Sequence, residues 1–130
     1  MTRDVLLDTH TFLWYAVSPD TLSRVAYGAV VDAAQAYVSA ATVWEVRTKH
    51  RLGKLPMAAA LVAAGLPSVI ARLNLQPLSV DPEDGDMAGA LPGRHRDPFD
   101  RMLAAQARRR NLVLVSNDAA LDAFGVTRVW

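Results

Sequence analysis

Two short apolar runs, each closed by a carboxylate, constrain this chain more than any other feature. Val5-Leu6-Leu7 ends at Asp8, and Leu112-Val113-Leu114-Val115 ends at Ser116-Asn117-Asp118. Apolar runs without polar alternation read as strands buried on both faces, the habit of parallel strands covered by helices. In an open parallel sheet, ligands bind just beyond the carboxyl ends of the strands. Asp8 and Asp118 both fall there. The plain reading of Asp8 is a cap on a helix starting near Thr9, since aspartate is a common cap.

The rest of the chain alternates helical and strand-like segments. Phe12, Leu13, Trp14, Ala16 and Val17 form a short apolar helical stretch that stops before Ser18-Pro19. Asp20 or Thr21 caps a second helix over about 22–34, with Leu22, Val25, Ala26, Ala29, Val30 and Ala33 at helical spacing. Tyr37-Val38 is a second buried strand. Ser39 caps a helix running to about Leu52, with Gly53 just past its end. Pro56 opens an alanine-rich helical stretch from Met57 to about Ala64; Gly65 and Pro67 interrupt it before a piece at 68–73. Leu75–Val80 is a third strand, placed at an edge by Pro77. Asp81-Pro82-Glu83 starts a helix ending near Leu91-Pro92-Gly93. The polar loop 93–96 leads into a helix over about 98–110, and a short helix from Asp118 to Phe124-Gly125 precedes a last strand in 126–130. This order predicts a three-layer α/β domain spanning 1–130, with a central, mostly parallel sheet of four to five strands.

With 130 residues, 52% of them hydrophobic, the chain has enough apolar surface for a core of its own. The absence of cysteine excludes a disulfide framework, a thiolate metal site and a cysteine nucleophile, and fits a cytoplasmic setting. No signal-peptide pattern stands at the N-terminus, and no apolar stretch approaches the ~20 residues that span a bilayer. A formal net charge of +1 means that a nucleic-acid partner would have to be met by a local basic patch.

The acids carry the chemical signal. Asp8 and Asp118 follow strands, Glu45 lies in the second turn of the helix after strand two, and Asp97 and Asp100 open the helix after 97. All map to one edge of a parallel sheet. One such acid is usually a cap; several converging ones are not explained that way. Carboxylates about 4 Å apart repel by ~1 kcal/mol in water and by ~4 kcal/mol at an effective dielectric of 20. Such a cluster takes up protons or holds a cation. With no thiol and no HxxxH spacing, the donors suit Mg²⁺ or Mn²⁺, and an ion of that kind activates water and stabilises charge on a phosphodiester oxygen.

Four stretches resemble the PIN-domain ribonucleases, and more narrowly the VapC toxins of bacterial type II toxin–antitoxin pairs. They are Leu6-Leu7-Asp8-Thr9-His10, Ser39-Ala40-Ala41-Thr42-Val43-Trp44-Glu45-Val46, His95-Arg96-Asp97-Pro98-Phe99-Asp100-Arg101 with the helix to Ala107, and Val115-Ser116-Asn117-Asp118. The resemblance implies an acidic pocket of Asp8, Glu45, Asp100 and Asp118. In it Asp8 and Asp100 would be the principal metal ligands, with Glu45 and Asp118 completing the shell, partly through water. Asp97 matches an extra acid of the toxin pattern, and capping of the helix at Pro98 weighs equally. The resemblance further implies a homodimer, cleavage of tRNA, rRNA or mRNA, and a cognate antitoxin that blocks the pocket. Residues 54–92 match no pattern.

Around these acids, Thr9, Thr11, Ser116 and Asn117 are expected to hydrogen-bond the carboxylates. Lys49, Arg94 and Arg96 are candidate RNA contacts. Most of Arg47, Lys49, His50, Arg51 and Lys54, and all of Arg108, Arg109 and Arg110, read as favourable charge at helix C-termini. Trp14, Trp44 and Phe99 read as core packing, with base stacking as the alternative. The rival functions are a catalytically silent PIN-like RNA-binding or scaffold protein and a different Mg-dependent phosphoesterase. A haloacid-dehalogenase-type phosphatase needs a second acid two residues after the first, where this chain has His10. A receiver domain leaves Glu45 and Asp100 without a role.

Overall fold

The central strand of the molecule is the first one, Val5–Leu7 (β1). In the computed structural model, which describes residues 3–94 and 97–130, β1 pairs in parallel with Ala36–Ser39 (β2) on one side and Val113–Val115 (β4) on the other. Gln76–Leu78 (β3) and Arg128–Val129 (β5) close the two edges, giving the order β3-β2-β1-β4-β5, all parallel. The register sets Leu6 beside Tyr37 and Leu114, and Leu7 beside Val115. The chain leaves β1 in one direction to build β2 and β3 and in the other to build β4 and β5, so the switch point lies between β1 and β4.

The two-residue period of β1 divides the core. Val5 and Leu7 face a cluster with Phe12, Leu13, Ala26, Val30, Val46 and Ile70. Those residues come from Thr9–Val17 (α1), Arg24–Val31 (α2), Ala40–Arg51 (α3) and Leu66–Arg72 (α5), with Ala59–Ala64 (α4) supplying Leu61. Leu6 and Leu114 face the other cluster with Ala88, Leu103, Ala104, Ala107 and Leu121, drawn from Pro82–Ala90 (α6), Pro98–Arg109 (α7) and the 3-10 helix Ala119–Phe124. Leu6, Leu7, Leu114 and Val115 are fully enclosed, as strands covered on both faces must be.

Several boundaries differ from the sequence reading for local reasons. Pro19–Thr21 forms a separate 3-10 turn, and α2 is capped by Ser23, whose Oγ accepts from the Ala26 N–H at 3.0 Å, rather than by Asp20 or Thr21. The alanine-rich stretch begins as a 3-10 turn at Pro56–Ala58. Gly65, at φ +91°, lets α5 start at Leu66, with Pro67 in its first turn where the missing N–H is harmless. Pro77 does place β3 at the edge. Ser39 caps α3 as expected, and Gly53 follows its end at φ +72°.

Arg109 and Arg110 do more than offset a helix dipole. Arg109 Nη1 donates to Asp81 Oδ1 at 2.8 Å and Asp84 Oδ1 at 2.5 Å, and Arg110 Nη2 to Asp84 Oδ2 at 2.9 Å. Asp81 and Asp84 form a capping box at the start of α6, so these pairs tie the end of α7 to the beginning of α6. Asp84 is buried, and burial pushes its carboxyl up. Donors from Arg110, Gln106, the Asp81 backbone and Arg109 outweigh that and hold it at about 2. No helix among the described residues is long and apolar enough to cross a membrane.

Candidate active site

The carboxyl edge of the sheet carries a cavity of about 390 Å³ lined by Asp8, Thr9, His10, Glu45, Lys49, Asp97, Asp100, Asn117 and Asp118. The acids arrive from four separate parts of the chain. Asp8 and Asp118 lie just past the ends of β1 and β4, and Asp97 and Asp100 stand at the start of α7. Glu45 sits in the second turn of α3, pointing inward because the first turn is fixed by the Ser39 cap.

Capping and pocket-lining turn out to be one arrangement for three of the acids. Asp8 Oδ1 accepts from the Thr11 N–H at 2.8 Å and caps α1. Asp97 Oδ1 accepts from the N–H groups of Phe99 and Asp100 at 2.9 and 3.1 Å and caps α7. Asp118 Oδ1 accepts from the Ala120 N–H at 3.0 Å and caps the 3-10 helix. In each case one oxygen serves the backbone, and the same residue lines the cavity. The helix starts bring partial positive charge to the same place.

Glu45 is buried, 3% exposed, and its charge is met from within the protein. Thr9 Oγ1 donates to Glu45 Oε1 at 2.5 Å, and Thr42 Oγ1 lies 3.4 Å from Thr9 Oγ1. The Lys49 ammonium, one helical turn on along α3, pairs with Glu45 Oε2. Burial works to lower the Lys49 pKa. Glu45, backed by Asp97 and Asp100, outweighs it, so that pKa stands above the usual lysine value.

The neighbouring polar residues divide. Thr9 bonds a carboxylate as expected. Thr11 does not use its hydroxyl on one: Oγ1 donates to the Val115 carbonyl at 2.8 Å, and only its backbone N–H reaches Asp8. Ser116 likewise serves the backbone, its Oγ accepting from the Asp118 N–H at 3.0 Å. Both hydroxyls are enclosed where a strand gives way to a helix, and backbone groups there take them, the Val115 carbonyl accepting from the Asp8 N–H at 3.1 Å as well. Asn117 lines the cavity. Arg94 is exposed and lies outside the lining, and His95 and Arg96 fall outside the described residues.

Trp44 is not core. It is 64% exposed and meets Phe99 edge-on, with ring centroids 4.9 Å apart. Trp14 is partly buried against His10 and Trp130. The sequence reading also passed over His10 as a lining residue and the Glu45–Lys49 pair, although the i, i+4 spacing of that pair on a helix was a usable signal.

The donors lining the cavity are five carboxylates with the Thr9 hydroxyl, the Asn117 amide and the His10 imidazole, and no sulfur; the carboxylate majority suits a hard divalent cation. Among the described residues no three His, Cys, Asp or Glu side chains are drawn together closely enough to hold an ion as they stand. The acids therefore share a hollow without being closed around its centre.

Comparison with known proteins places this fold. No curated protein matches the chain by sequence. Among solved structures, VapBC2 from Rickettsia felis bound to a fragment of promoter DNA superposes with a TM-score of 0.68 at 14% identity, covering 97% of each chain. VapC20 of Mycobacterium tuberculosis, a toxin that cleaves the sarcin-ricin loop, gives 0.64 at 16% identity over 96% of this chain and 98% of that one. DNA-bound VapBC from Salmonella typhimurium gives 0.61 at 23% identity over 98% and 93%. At these identities the likeness is one of fold. The model of the PIN domain family matches residues 5–126, which runs from the first strand to just before the last and takes in every acid of the cavity: the chain belongs to the PIN-domain family.

Proposed function

We propose that this protein is a divalent-metal-dependent endoribonuclease, the toxin of a type II toxin–antitoxin pair, acting as one domain in the cytoplasm. The observation that carries the reading is the gathering of Asp8, Glu45, Asp97, Asp100 and Asp118 from distant parts of the chain around one cavity at the switch point of a parallel sheet. The solved structures of like fold, with their toxin–antitoxin complexes and an RNA-cleaving toxin, favour it over a phosphatase or a receiver.

Asp8 and Asp100 are the residues to hold Mg²⁺ or Mn²⁺, with Glu45 and Asp118 reaching it directly or through water, and Asp97 joining with the oxygen its cap leaves over. When bound, the ion lowers the pKa of a water molecule and stabilises charge on the phosphodiester oxygens. The protein's own part is positioning. Caps fix Asp8, Asp97 and Asp118 to rigid helix starts, Thr9 fixes the rotamer of Glu45, and Lys49 brings a cation to the wall where an RNA phosphate would lie. A cognate antitoxin would close the cavity, and a basic side chain would be a suitable plug because it replaces the charge of the ion. A homodimer accords with this class of toxin.

Purified protein is expected to cut RNA in Mg²⁺ or Mn²⁺ and to stop when EDTA is added. Cutting that continues in EDTA would overturn the metal-dependent reading. A binder without catalysis would retain RNA and leave it whole in both conditions.

A further inference from the structure

The cavity holds five carboxylates against a single ammonium among the described residues that line it. That ammonium already has a partner. Lys49 is only partly exposed and is paired with the most deeply buried of the acids. An unpaired buried carboxylate is costly, so Glu45 needs a counter-charge whenever it is ionised. Thr9 satisfies one oxygen with a neutral donor and supplies no charge. Lys49 is thus the cation already at the oxygen through which Glu45 would turn to a metal ion.

Resting on the reading of this cavity as a divalent-metal site, we propose that Lys49 is a built-in counter-ion of Glu45 which an incoming divalent ion must displace, so that Lys49 sets the metal concentration at which the site fills. The same pair explains why the acids are not closed around the cavity centre. Glu45 is drawn along its own helix toward Lys49, a turn away, while Asp8, Asp97 and Asp118 are held back by their caps. A ligand whose binding-competent state is only fractionally populated binds more weakly by that fraction. If the Glu45–Lys49 pair is open about one-tenth of the time, apparent metal affinity falls about tenfold.

The test is Mn²⁺ binding to the purified full chain, followed by the electron paramagnetic resonance signal of free Mn²⁺, with thermal melts recorded alongside. Lys49→Met is expected to bind Mn²⁺ on the order of tenfold more tightly than the wild type and to melt lower without the ion. Lys49→Arg keeps a cation beside Glu45 and is expected to stay within about threefold of the wild type, well short of that gain. Lys49→Gln serves in place of the methionine variant if that one fails to fold. Equal or weaker binding by the uncharged variants, with the wild type binding normally, overturns the role of Lys49 and leaves the metal site standing. No Mn²⁺ binding by either the wild type or the variants overturns both.

Discussion

At the scale of single residues, the acids combine two tasks that the sequence reading set against each other. Asp8 was open to reading as cap or ligand, and the structure has it capping α1 with Oδ1 while lining the cavity. This permits a clean separation. Asparagine caps a helix about as well as aspartate, so Asp8→Asn is expected to keep the melting temperature within a degree or two and to abolish RNA cleavage. Asp8→Ala should lose the cap as well, costing about 0.5–2 kcal/mol in urea denaturation. If Asp8→Asn cleaves RNA as well as the wild type, Asp8 is a cap and nothing more. The inward direction of Glu45 and its contact with Thr9 were not legible in the sequence, because side-chain direction depends on where α3 begins and how it packs. The exposure of Trp44 was missed for the same reason: a helical position beside apolar neighbours says nothing of which side the neighbouring elements cover. Acrylamide is expected to quench Trp44 more readily than Trp14, with each residue observed in a variant whose other tryptophans are replaced by phenylalanine.

At the scale of elements, the pairing of α6 with α7 has its own pH signature. The Asp84 carboxyl is held at about 2, below its ordinary value near 3.8. The folded state therefore binds fewer protons there than the unfolded state in the acid range. The stabilisation is fully present above about pH 4 and is lost as pH falls toward 2. The shift corresponds to about 2 kcal/mol. Urea denaturation at pH 5 and pH 2.5 should show the wild type losing about that much more stability than Asp84→Asn, and equal losses would contradict the assignment. Nothing in residues 81–84 or 108–110 taken separately announced this cluster. Twenty-five residues part Asp84 from Arg109, and only the antiparallel packing of two helices joins them. By contrast, the caps at Ser39 and Asp81, the edge position of β3 and the end of α3 at Gly53 were all legible, since each rests on the local chemistry of one or two residues.

At the scale of the whole molecule, the parallel three-layer architecture followed from two apolar runs and the helices between them. Those runs became β1 and β4, the adjacent strands that flank the switch point. Leu114 is enclosed among residues of α7 and the 3-10 helix, so Leu114→Ala is expected to cost about 2–5 kcal/mol. The exposed Val25→Ala should stay within about 0.5 kcal/mol in the same urea experiment. The convergence of the acids also follows at this scale. Parallel strands put all their carboxyl ends on one edge, so residues more than a hundred positions apart meet there. Closure of those acids around an ion does not follow from topology, because it depends on which counter-charge each carboxylate already has. The most direct measurement is RNA cleavage in Mn²⁺ by the purified Asp8→Asn/Asp100→Asn double variant beside the wild type, with circular dichroism to verify that both are folded. The account predicts intact RNA with the folded double variant and fragments with the wild type; fragments from both at similar rates would contradict it.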